Sequence, residues 1–273
     1  RCGQISRYGN ISGANLTNEI SKILKYSSLI ATLSWHDIRG RYRRSIIGPF
    51  WLTISMGVMI ASIGFVFGQI FKTPMDEYFP YLATGIILWS FITATINEGC
   101  VGFIDAEGII KQLSIPLFIH ILRVLWRNIL ILAHNILIVP LALLIMNKSV
   151  GLEALLAIPG LLLVSLCIGW IALFFAILCA RYRDLAQIVA SVLQVAFYLT
   201  PIIWMPSLLP DRMGSSILQF NPFYHLLELI RAPLLGVVPT LTSWLVVVVI
   251  TAVGWGITLL IFSRYRHRVA YWV

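Results

Sequence analysis

Residues 35–51 read WHDIRGRYRRSIIGPFW, in which Arg39, Arg41, Arg43 and Arg44 run straight into an uncharged, mostly apolar stretch that lasts to Phe71. An apolar run of about 25 residues crosses a ~30 Å hydrocarbon layer as a helix, and a basic cluster at its start marks the end held on the cytoplasmic side. Composition points the same way. With 59% hydrophobic and 11% charged residues and a mean hydropathy of +0.89, the main solvent of this chain is bilayer rather than water.

The apolar pattern predicts an all-α membrane protein with six spans at about residues 47–71, 81–97, 123–146, 154–180, 185–205 and 241–262. Within the third, residues 128–146 already cover about 28 Å, which leaves Arg123 and Arg127 at or beyond one boundary. With six spans both termini share a side. Fourteen of the twenty Lys and Arg residues lie on that side, and Lys72, Lys148, Arg212 and Arg231 lie opposite. Positive residues stay inside, so both termini are expected in the cytoplasm. Residues 1–18 are polar, carry no apolar signal-peptide core and remain unassigned.

Two segments fall outside the spans. Residues 19–34 place apolar side chains at helical spacing with Lys22 and Lys25, which suits a helix lying in the interface plane. An ordinary amphipathic helix docked on a neighbour is the alternative. Residues 201–239 hold six of the twelve prolines yet stay too apolar for a solvated loop, and a re-entrant helical hairpin before the last span fits both facts.

Motifs that carry chemistry are scarce in the chain. No GK dipeptide exists, so there is no Walker A loop and no ATP site of that kind. The five histidines are scattered without metal-ligand or general-base spacing, and the four cysteines read as small buried hydrophobes. No catalytic residue, metal or bound cofactor is expected. No carboxylate sits in mid-span, against the usual pattern of a proton-coupled carrier. The +9 charge lies mainly at the ends of apolar runs, where it addresses anionic lipid headgroups rather than nucleic acid. Gly64 and Gly68 suit close helix packing. The many aromatic residues divide between interfacial belts and rings lining a passage, where ring faces would suit sugars. Residues 98–116 form a cytoplasmic loop in which a short helix could set Ile109, Ile110 and Leu113 into a partner's groove; loop packing is the alternative.

Taken together, WHDIRGRYRRSIIGPFW, EGIIKQLSIP at 107–116, ARYRDL at 180–185, PIIW at 201–204, NPFYHLLELIRAPLLG at 221–236 and YRHRVAYWV at 265–273 resemble the membrane-spanning permease subunit of type-2 ATP-binding-cassette polysaccharide exporters. The order and spacing of these pieces over residues 19–273 carry the likeness, which is greatest to O-antigen exporters, with capsule and teichoic acid exporters next. The resemblance implies a homodimer with two separate nucleotide-binding subunits, which bind ATP and Mg, and a path for undecaprenyl-diphosphate-linked glycan across the bacterial inner membrane. It makes Glu107, Gly108, Ile109, Ile110, Lys111 and Gln112 the coupling helix, and residues 19–44 the interfacial helix where lipid enters. Residues 201–236 become the periplasmic gate, with Pro201, Asn221, Pro222, Arg231 and Pro233 as its candidates. Phe50, Trp51, Tyr198 and Trp204 are channel-lining candidates. Because guanidinium groups pair with phosphate oxygens, Arg39, Arg41, Arg43, Arg44, Arg123 and Arg127 are candidates for the lipid diphosphate, membrane anchoring being the alternative. A polyprenyl-phosphate transferase and a lipid-scrambling scaffold are the competing classes. The first would need a catalytic carboxylate or histidine that the cytoplasmic edge does not supply.

Overall fold

The computed structural model describes residues 26–41, 47–48, 50–112, 115–148, 151–208 and 218–273, and among these every regular element is a helix. Helix α1 (Ser27–Arg41) is followed by Gly48 with φ +63°, a left-handed conformation that side chains resist and that turns the chain into α2 (Phe50–Phe71). Next come α3 (Met75–Val101), the short α4 (Glu107–Gln112), α5 (Phe118–Asn135) and α6 (Ile138–Ile145). A 3-10 turn (Leu152–Leu156) leads into α7 (Ala157–Arg181), then α8 (Leu185–Leu199), α9 (Pro222–Leu234) and α10 (Leu241–Trp272). The step between α5 and α6 falls just before Pro140, which has no N–H to give the Ile136 carbonyl, and Val139 N donates to that carbonyl instead at 3.0 Å.

Five of these stretches are long and apolar enough to cross a membrane: α2, α3, α5 with α6, the 3-10 turn with α7, and α10. The sixth expected span, 185–205, is helical only to Leu199, 15 residues or about 22 Å. Its cause is Pro201, which biases the preceding residue toward extended backbone; Thr200 has ψ 138°. So the expected six spans become five helices of spanning length and one shorter apolar helix. Residues 1–25, 42–46 and 209–217, hence Arg43, Arg44 and the middle of the expected hairpin, lie outside the described residues, as does Leu113.

Helix α7 is the hub, packed against α3, α5, α9 and α10. In hydrocarbon no solvent drives helices together, so close approach at small residues supplies the packing. A Cβ placed on Gly160 would overlap the Leu229 carbonyl oxygen of α9, one on Gly99 would meet Ala172, and one on Gly254 would enter the Trp170 ring. Gly64 and Gly68 pack likewise, on Phe79 and Leu82 and on Met75 and Tyr78 of α3. A second apolar cluster closes one end of the bundle, joining Phe103, Ile121, the 172–180 part of α7, Val269 and Val273. This end also carries α4, Lys111, Arg181 and Arg183 and the arginines of α10, whereas Lys148 bonds Asp76 at the other end, 2.9 Å away.

Candidate functional site

At the α4 end the six residues expected to couple form one helix. Lys111 bonds Glu107 one turn earlier and, by that hydrogen bond and its charge, holds the Glu107 carboxyl below the ordinary carboxylate range. Gly108, Lys111 and Gln112 are exposed. Ile110 packs on the buried cluster around Phe103, while Ile109 stands half-exposed outside it. The single apolar face expected from sequence is therefore divided, one isoleucine seating the helix and the other available to a partner.

Helix α1 docks along α5. Ile30 and Ser34 are buried, one turn apart, and Ser34 Oγ donates to the Arg123 carbonyl at 3.1 Å. One turn on, Asp37 accepts from both sides of the Arg123 guanidinium, Nε at 2.7 Å and Nη2, and from Arg127 Nη1 at 3.1 Å. Arg127 Nη2 also donates to Glu98 Oε2 of α3 at 2.7 Å, and Asn128 Nδ2 donates to the same oxygen at 2.6 Å. Two guanidiniums thus meet two carboxylates in a formally neutral clasp across three helices. Arg123 and Arg127, candidates for the lipid diphosphate by sequence, lie side by side with the protein acids Asp37 and Glu98 as their partners. Arg39 is exposed farther along α1, and Arg41 lies in its last turn.

At the opposite end the chain beyond α8 is held by side chains that satisfy its free carbonyls. Tyr81 Oη donates to the Pro201 carbonyl at 2.9 Å and Tyr78 Oη to that of Ile203 at 2.7 Å. Arg231 is 2% exposed; its Nη1 donates to the same Pro201 carbonyl at 2.6 Å, its guanidinium carbon lies 4.2 Å from the Tyr81 ring centroid, and Glu228 is 3.7 Å away. Asn221 works on two helices. Its Oδ1 accepts from the Phe223 and Tyr224 amides and starts α9, with Pro222 in the first turn, while its Nδ2 donates to Leu199 O and Thr200 Oγ1 at the end of α8. Pro201, Asn221 and Arg231 therefore meet at the break after α8, with Pro222 next to Asn221, whereas Pro233 lies buried in the last turn of α9.

The exposed helix faces differ in kind. Along α10 from Leu245 to Leu260 every exposed side chain is apolar, with Thr251 and Thr258 turned inward. Helix α8 instead carries an exposed row of Gln187, Ser191, Gln194 and Tyr198, spaced i, i+4, i+7 and i+11, beside an apolar row of Ile188, Val192, Val195 and Leu199, and α2 sets Ser55, Ser62 and Gln69 at intervals of seven among exposed apolar side chains. Polar side chains at membrane depth face protein or a water-filled cavity, not lipid. Tyr198, 65% exposed, ends the α8 stripe, and Trp204 Nε1 donates to its carbonyl at 3.1 Å. Phe50 and Trp51 are exposed at the start of α2, Phe50 edge-on to His134. Sequence reasoning missed the two glutamines, although their heptad spacing was there to read; it missed the clasp because Asp37 stands 86 residues from Arg123. Among the described residues no group of three His, Cys, Asp or Glu side chains could hold a metal ion.

The family model described as ABC-2 type transporter matches residues 28–235. Two O-antigen export system permease proteins RfbA of Klebsiella pneumoniae are 24% and 22% identical to the chain, each alignment covering 89% of this chain and 93% of the relative. An O-antigen export system permease protein RfbA of Myxococcus xanthus is 20% identical over 78% of this chain and 82% of its own length.

Proposed function

The chain belongs to the ABC-2 type transporter family, and from that premise we propose that it is the transmembrane subunit of an ATP-driven exporter of undecaprenyl-diphosphate-linked polysaccharide, O-antigen first among the candidates. Two copies enclose the path, and two ATP-binding-cassette subunits, which hold ATP and Mg, seat on α4 at the cytoplasmic face of the bacterial inner membrane. The names of the relatives support the substrate class. Arg39, Arg41, Arg43 and Arg44 meet the lipid diphosphate as it enters beside α1, and the segment held by Arg231 and Asn221 lies at the periplasmic exit.

The observation that carries this reading is the polar stripe of α8 set against the wholly apolar face of α10. A face of glutamine, serine and tyrosine at bilayer depth is disfavoured against lipid and suits a hydrated passage for a hydroxyl-rich chain. The α8 and α2 faces line that passage, with Phe50, Trp51, Tyr198 and Trp204 offering ring surfaces to sugars.

The test is export of lipid-linked glycan in cells whose own permease has been replaced by this chain. Gln187→Leu and Gln194→Leu should each cut export about threefold, from contacts worth about 0.6 kcal/mol apiece. Val249→Leu, on the apolar face of α10, should leave it unchanged. Full export by the double glutamine variant removes α8 from the passage.

A further inference from the structure

The terminal motif YRHRVAYWV has no part in the function proposed above, yet it is built as carefully as any segment of the chain. Residues 241–262 of α10 already span about 33 Å, so the helix continues roughly 16 Å past the hydrocarbon. Over that extension its pattern changes from apolar all round to two-faced. Val269 and Val273 are buried, with Tyr265 and Trp272 packed beside them, at spacings i, i+4, i+7 and i+8; Arg264, His267, Arg268 and Tyr271 face outward.

The buried face meets the base of α4. Val269 and Val273 join Phe103 in one cluster, Ile110 of α4 and Trp272 of α10 pack on it, and the two helices touch directly. Trp272 is fixed from its other side: the Arg181 guanidinium carbon lies 5.5 Å from its ring centroid and 5.1 Å from that of Tyr182, and the Tyr265 ring lies 5.8 Å away. A six-residue helix is too short to hold its own direction, and α4 has no buried residue of its own. Its orientation has to come from what it stands on.

We infer that the 265–273 extension of α10 is a strut that sets the position of α4, with Trp272, Val269 and Arg181 as positioning residues for the step in which α4 engages an ATP-hydrolysing partner. This rests on the coupling role proposed for α4. The strut lies outside residues 28–235, which the family model matches. It ties the coupling helix to the last span as well as to α3 and α5, between which α4 lies in sequence.

The test uses the full chain in lipid nanodiscs, its four cysteines replaced by serine, with one spin label at Gln112 or, as control, at Val249 on α10. Trp272→Ala and, separately, Arg181→Gln should abolish the immobilised spectral component at Gln112 and leave Val249 unchanged; Trp272→Phe should restore it. A general loosening of the bundle would change both labels, and that result, or an unchanged Gln112 spectrum in both variants, overturns the strut. Arg181→Gln leaves the apolar cluster intact, so the test survives if Trp272→Ala does not fold. In cells, Trp272→Ala should lower export about fivefold, the small end of a coupling energy between sites. If Gln112 is freed while export holds, the strut stands and the coupling role of α4 falls.

Discussion

A guanidinium buried inside protein persists only where its faces have partners, and Arg231 finds three: the Pro201 carbonyl, the Tyr81 ring and the Glu228 carboxylate. Replacing it with leucine would leave Glu228 beside an apolar side chain and the Pro201 carbonyl with Tyr81 as its donor. The expected loss is about 2 kcal/mol, the scale of one hydrogen bond from a charged donor, seen as a lower melting temperature in detergent. It should be accompanied by faster modification of a cysteine at Trp204, because residues 201–204 lose a tether. Unchanged melting and unchanged reactivity would show that Tyr78 and Tyr81 hold the segment unaided. The sequence marked Arg231 as a residue of the far side and of the gate. Its burial was not legible, because nothing in NPFYHLLELIRAP distinguishes an arginine facing a carbonyl thirty residues upstream from one facing water.

Among the elements, glycine has opposite meanings in α7 and α4. Gly160 lets the α9 backbone approach so closely that a methyl group would overlap the Leu229 carbonyl oxygen, and backbone cannot rotate out of the way. Gly108 has nothing near its would-be Cβ. Gly160→Ala should therefore separate α7 from α9 and cost a large share of the folded yield, measured by size-exclusion profile and melting. Gly108→Ala should stabilise α4 by up to about 1 kcal/mol, since glycine is the poorer helix former. Equal behaviour of the two variants would mean that α7 and α9 are not in contact. Helix positions were largely legible, because apolar runs and prolines dictate where backbone can and cannot pair its own groups within lipid. The early end of α8 was less so: the apolar run continues to Met205, and the restriction that Pro201 places on Thr200 prevails over it. The seat of Ile110 was hidden because the cluster it packs on draws Val269 and Val273 from the far end of the sequence.

For the whole molecule, the arrangement divides into an end that carries α4 and an end that carries the break after α8. Cysteines at Gly108 and Ser207, both exposed, should react with a membrane-impermeant thiol reagent from opposite faces of the bilayer, Gly108 from the cytoplasmic face. Reaction of both from one face would overturn the reading of α8 and its following bends as a crossing. Helix α10 joins the two ends. Near its start His225 Nδ1 of α9 bonds Ser243 Oγ at 2.9 Å, near its middle Gly254 receives the Trp170 ring, and its last turn stands beside α4. A 32-residue helix pinned there is a lever with arms of about 20 Å and 27 Å. A tilt of about 5° about that fulcrum carries Trp272 through about 2 Å, the displacement by which helices shift when they switch. Its opposite arm swings Ser243 the other way, so a push at the seat of α4 arrives beside the proline-rich segment as a pull.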